Sequence, residues 1–170
     1  MIKRTPWLEK KFNFDFPVSH FPLIVTRLRG TSARINDLTQ NIPDEILSLR
    51  KGEGWSVKEH IGHLTDLESL HEKRLQEYLD GIAKLTPADM TNEKTYSANH
   101  NSKPLSELIE DLRADRKIFV SKLEELQEED LKRVALHPRL QQIIRLVDMA
   151  FFVAEHDDQH IAAISELISQ

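Results

Sequence analysis

The sequence predicts an all-α protein: a four-helix bundle preceded by an extended N-terminal lead-in. Three observations carry this. Apolar residues recur at three- and four-residue steps over four long stretches, which is helical periodicity. Polar stretches holding Pro, Asn or Gly separate them. No segment alternates apolar and polar residues in the way that marks a half-buried strand. Four amphipathic helices of this length pack by default as a bundle.

Residues 1–17 alternate charges, prolines and aromatics, among them Trp7, Phe12, Phe14 and Phe16. They read as an extended segment whose rings pack on the domain surface. The first helix is expected over about residues 20–40, with Phe21, Ile24, Leu28, Ile35 and Leu38 on its apolar side. Pro22 is tolerated in a first turn, and Gly30–Thr31 weakens the middle. Asp44 to Gly54 is a connector with room for one short turn. The second helix, about 57–80, carries the clearest start signal. Ser56 and Glu59 have capping-box spacing. Residues 82–103 are polar and weakly patterned; connections this long are often functional. Leu105, Leu108, Leu112, Phe119, Leu123 and Leu126 mark the third helix, about 104–127.

The fourth helix is expected over 140–169, where neither Gly nor Pro interrupts the chain. One apolar row runs from Ile143 through Val147, Phe151, Ala154 and Ile161 to Ile168. A second runs through Leu146, Met149, Val153, Ile164 and Leu167. A helix apolar on two sides is expected to lie between neighbours. His156 and His160 interrupt the second row one turn apart, on one face. The whole chain, 1–170, reads as a single helical domain of a size that buries a substantial core.

Composition narrows the function. Charged residues make up 30% and hydrophobic residues 39%, ordinary for a soluble protein. The net charge of −5 argues against nucleic acid as a partner. No stretch approaches the ~20 apolar residues of a membrane span, and the N-terminus lacks the apolar run of a signal peptide. There is no cysteine. Disulfides and thiolate metal sites are thereby excluded, and a reducing cytoplasm is the expected setting.

Any site must therefore be built from His, Asp and Glu. Of eight histidines, His20 and His71 read as surface or hydrogen-bonded residues. His137, before Pro138, reads as structural, and His100 lies in the long connection. His60, His63, His156 and His160 remain, all within apolar rows. Two neutral imidazoles four residues apart can share one metal ion, and a third from another helix completes a set with an open position. The competing reading is a group of buried neutral histidines binding nothing. Spacing alone leaves His60 and His63 as alternatives for the third ligand. Glu155, Asp157 and Asp158 point away from His156 and read as a solvated acidic face.

WSVKEHIGHL (Trp55–Leu64) together with AEHDDQHIAAI (Ala154–Ile164) resembles the DinB/YfiT-like superfamily. The opening WLEKKFNFDFP and the HPRL before the last helix are similar to one branch of it, so the resemblance spans nearly the whole chain. It implies an up-down-down-up bundle, commonly homodimeric, holding zinc or nickel between three histidines. The matching positions are His63, His156 and His160. His60 is left as a neighbour of the site or plain core. The resemblance further implies a metal-dependent transferase or hydrolase that activates a thiol or water against a small-molecule substrate. Any thiol, in a chain without cysteine, must arrive as a co-substrate. The alternative is a non-catalytic metal-stabilised stress-response or binding protein.

Overall fold

The computed structural model describes residues 2–169. Helices α1 (Phe21–Arg29) and α2 (Thr31–Thr39) form the first rod, interrupted at Gly30. The short α3 (Asp44–Leu47) leads to the second rod, α4 (Val57–Asp66) and α5 (Glu68–Leu79), interrupted at Leu67. A long connection follows, containing α6 (Glu93–Ser97) and a 3-10 turn at His100–Ser102. The third rod is α7 (Leu105–Glu124), followed by α8 (Glu128–Leu131). Strands β1 (Val134–His137) and β2 (Gln142–Arg145) pair antiparallel, and α9 (Leu146–Ile168) is the fourth rod. No described helix is long and apolar enough to cross a membrane.

Two apolar clusters fix the direction of every rod. One joins Phe21, Ile24 and Leu28 from the start of the first rod with Leu75 and Tyr78 from the end of the second. Phe119 and Leu123 from the end of the third rod and Leu146, Val147 and Ala150 from the start of the fourth complete it. The other cluster takes the opposite halves: Ile35; Val57, Ile61 and Leu64; Leu108 and Leu112; and Ile164. The rods therefore run up, down, down, up, as expected. The first and fourth are parallel, and so are the second and third. Two consecutive parallel rods need a connection that travels the length of the bundle. Residues 80–104 supply it, and their length is a consequence of this topology.

The Ser56 start signal holds. Ser56 Oγ accepts from Glu59 N (3.2 Å), and Glu59 Oε2 accepts from Ser56 N (2.9 Å).

The start of the last helix does not hold. Residues 140–145, expected to be helical, form the end of a turn and strand β2, and Ile143 is 71% exposed. The turn is set by Pro138, which lacks an N–H, and by Gln141 in the left-handed region (φ 53°). The β-branched pair Ile143–Ile144 favours the strand. The helix then starts where Asp148 accepts the N–H of Arg145 at 2.8 Å. Arginine is a poor N-cap by type, so this boundary carries little signal in the sequence.

The lead-in packs more deeply than a surface decoration. Trp7 meets Phe152 and His156 with ring centroids 5.0 Å apart in both cases.

Candidate metal centre

α4 brings His60 and His63, one turn apart, to the side of α9 that carries His156 and His160. Ligand-capable atoms of His63, His156 and His160 all lie within 4.8 Å of one another. His156 Nε2 and His160 Nε2 are 3.1 Å apart. Two nitrogens on a tetrahedral ion with bonds of roughly 2.0–2.1 Å are separated by roughly 3.3 Å, so the spacing suits shared coordination. His63 is 5% and His156 8% exposed. Trp55 covers the group from one side, 4.6 Å from the His63 ring and stacked on His160 at 6.0 Å.

Burial keeps these rings neutral. It lowers His60 and His63 from the ordinary histidine value to about 4. Burial, then the neighbouring imidazoles, hold His156 and His160 well below that value. Neutral imidazole is the form that coordinates a metal.

Hydrogen bonds fix one ring and steer another. His63 Nδ1 lies 3.0 Å from Thr95 Oγ1. That hydroxyl donates to Asp66 Oδ2 at 2.9 Å, so it can only accept from His63. The proton of His63 is thus held on Nδ1, and Nε2 keeps a free lone pair. Burial disfavours the Asp66 carboxylate, but hydrogen bonds from His100 and Thr95 outweigh it and hold its pKa low. His100 Nε2 is 2.8 Å from Asp66 Oδ2. Gly62 makes room for His100: a Cβ at position 62 would lie 2.3 Å from the His100 ring. His60 Nδ1 meets His160 Nδ1 at 2.8 Å and so sits behind that ring. His156 is different. Its Nδ1 is buried without a partner, as are Nδ1 of His71 and of His100, so no hydrogen bond fixes the orientation of this ring from behind.

The group forms one wall of a cavity of about 440 Å³. His63, Leu67, His71 and Arg74, at helical spacing, line it along the second rod. Trp7, Trp55 and His137 close it from other sides. His71 and His137, read as bland from sequence, both face this space, and both are pushed below the ordinary value by burial, His137 to about 3. His20 lies apart, stacked on Phe16 at 5.6 Å.

The acidic face needs correction. Asp157 is fully buried and paired with Arg116, which also holds Glu68. Glu155 and Asp158 pair with Arg27 at 2.6 and 2.5 Å. Angular spacing put these residues off the histidine face correctly. What it faced instead was the first and third rods, not solvent. Thr95 and Asp66 had no signal of their own, beyond the unusual length of the segment that holds Thr95.

The model of the DinB superfamily matches residues 27–164. The chain belongs to the DinB superfamily. Among solved structures, one similar chain is from Bacillus subtilis: 23% identical, with a TM-score of 0.77, covering 94% of this chain and 91% of that one. It is described as "YfiT from Bacillus subtilis is a probable metal-dependent hydrolase with an unusual four-helix bundle topology". At that identity the likeness establishes the shared bundle topology. No curated protein matches the sequence.

Proposed function

We propose that His63, His156 and His160 hold a divalent ion, zinc or nickel, and that this DinB-family chain is a metal-dependent enzyme acting on a small molecule. The reaction class is hydrolysis or thiol transfer. The observation that carries the reading is the open wall: three converging neutral imidazoles border an apolar cavity instead of being closed by a fourth protein ligand. Structural zinc sites are usually closed, and catalytic ones keep a position free. The description of the B. subtilis neighbour as a metal-dependent hydrolase agrees with this class.

When bound, such an ion supplies Lewis acidity to a nucleophile or a carbonyl. The chain's own residues do the rest. Thr95, backed by Asp66, keeps the His63 proton on Nδ1. With an ion on Nε2 of His160, the proton of that ring would sit on Nδ1 and be donated to His60 Nδ1, 2.8 Å away. Trp7 and Trp55 limit water around the rings. The acting form in this reading is a cytoplasmic homodimer; the dimer rests on family resemblance, the compartment on the lack of cysteine. Asp66, engaged by Thr95 and His100, is not free to serve as a general base.

The test is metal analysis of untagged protein, with His156→Ala and His20→Ala side by side. The first variant should lose most of the metal and the second should retain it. Equal content in both would remove the site. Screening low-molecular-weight thiols with electrophiles, and activated esters with water, then separates transferase from hydrolase. Chelation should abolish activity with most of the helical circular dichroism intact; unfolding on chelation would favour the non-catalytic alternative.

A further inference from the structure

The cavity has a second polar feature away from the histidines. Arg74 and Arg139 both line it. Arg74 is buried, yet its hydrogen bonds go to the Thr86 carbonyl (2.9 Å, from Nε) and to His137 Nε2 (3.4 Å, from Nη1). Arg139 donates from Nη2 to the Trp7 carbonyl at 2.6 Å and lies over the Trp7 ring at 4.8 Å. Its Nη1 is buried with no partner. Among the described residues neither guanidinium has a carboxylate ion-pair partner. Glu77 acts on Arg74 through its charge without an ion-pair contact and accepts from Thr86 N at 2.8 Å, while Asp89 accepts from the N–H groups of Thr91 and Glu93, both at 2.9 Å. Arg116 shows what a buried arginine of this chain looks like when its counter-charge is internal, with Glu68 and Asp157 both bound.

A buried guanidinium is retained only when its charge is compensated. Arg74, which is buried, and Arg139, which is half-buried with a buried and unpartnered Nη1, share the wall of one apolar cavity without an ion-pair partner, and this points to a charge that comes from outside the chain. We propose that Arg74 and Arg139 form an anion-binding subsite for the carboxylate or phosphate group of the small-molecule substrate. This rests on the reading above that the cavity holds the substrate. The planar fork of arginine suits both oxyanions. Arg74 lies eleven residues beyond His63 on the same face of the second rod, roughly 16 Å along the axis at about 1.5 Å per residue. The substrate is therefore an elongated molecule. Its anionic end lies at the arginines, its apolar body along Leu67, Trp7 and Phe152, and its reacting end at the histidines.

The two tryptophans of the chain, Trp7 and Trp55, both line the cavity, so intrinsic fluorescence reports its occupancy. The probes are 4-phenylbutyrate and 6-phenylhexanoate, their primary amides and the matching phenylalkyl phosphates. They are titrated into zinc-loaded and into chelator-treated protein. One or both anions should bind at least about tenfold tighter than the amide in both forms of the protein. The tighter of the two identifies the oxyanion. Arg139→Gln and Arg74→Gln should each remove most of that preference and leave amide binding and zinc content unchanged. Arg74 also holds a backbone carbonyl, so thermal unfolding of that variant is measured alongside; Arg139→Gln and the wild-type comparison decide the matter if it is unstable. Equal binding of anion and amide, no binding by any anion, or a preference unchanged in Arg139→Gln would overturn the subsite. A preference seen only with zinc would also overturn it, while supporting the metal. An anion preference in protein that takes up no zinc would preserve the subsite and remove the metal reading.

Discussion

Two polar groups are buried side by side in this bundle, and they differ in kind. His156 and Asp157 are neighbours on α9 and face different rods. Asp157 joins Arg116, whose three nitrogens reach Glu68, Asp157, the Leu28 carbonyl and Thr31. Thr31 Oγ1 donates to Asp157 Oδ2 at 2.6 Å. Burial is the chief effect on Glu68 and pushes its carboxyl up to about 7, although Arg116 opposes it. This cluster has its positive and negative members inside the core. The histidine group has neither a counter-ion nor a partner for His156 Nδ1, and it opens onto a cavity. A buried group whose charges are balanced within its own chain is a structural device, even with Glu68 Oε2 left without a hydrogen bond. One left incomplete beside a cavity is a place for something from outside.

The sharpest way to break this contrast is Asp157→Ala. It leaves Arg116 in the core with Glu68 as its one remaining carboxylate partner, and the cost should be about 3–5 kcal/mol of stability, read by denaturant unfolding. Metal bound per folded molecule should stay unchanged. If the variant loses its metal while staying as stable as the parent, the two clusters have been assigned the wrong way round.

Gly62→Ala comes next, at about 1–3 kcal/mol, because the new methyl runs into the His100 ring. Unlike Asp157→Ala, it should also weaken metal binding, since moving His100 disturbs Asp66 and through it Thr95. An unaffected metal affinity would mean that His100 plays no part in holding the site.

Thr95→Val keeps the shape of the side chain but removes the hydroxyl that holds the His63 proton. Metal affinity should fall about 10–100-fold, with a much smaller change in unfolding free energy. A fall in stability alone would class Thr95 with Asp157.

The most gradual effect is in pH. The folded-state value of His137 is about 3, lowered first by burial and then by the charges of Arg74 and Arg139. It sits below the unfolded value of roughly 6.5, so the unfolded chain binds the extra proton between the two. The stability this neutral ring contributes is complete above pH ~6.5. It is lost as pH falls toward 3, at no more than about 1.4 kcal/mol per pH unit. His137→Phe should flatten that part of the profile; a slope identical to the parent's would show that His137 is not the group responsible.

Much of the histidine group is legible in the sequence. The four-residue step of His156 and His160, and the place of His60 and His63 in an apolar row, are local facts that helix geometry converts into one face. The choice of His63 came from the family pattern, and the position of His60 behind His160 became visible only in three dimensions. The start of the last helix is not legible in the sequence, because a β-branched residue such as Ile143 fits a helical row and a strand alike. Pro138 and the left-handed Gln141 decided for the hairpin. The partners of Glu155, Asp157 and Asp158 are not legible either, because a charge on the far side of a helix meets solvent or another helix, and spacing does not distinguish the two.

What the sequence determined by itself was periodic and local: the rods, the Ser56–Glu59 start and the face on which each histidine lies. These follow from 3.6 residues per turn and from hydrogen bonds within one turn. What only the tertiary structure decided was which faces meet. Rods running up, down, down and up bring α4 against α9 and force residues 80–104 back along the bundle, delivering Thr95 to His63 and His100 to Asp66. Such contacts depend on the packing of segments about thirty to a hundred residues apart, and no local pattern encodes them.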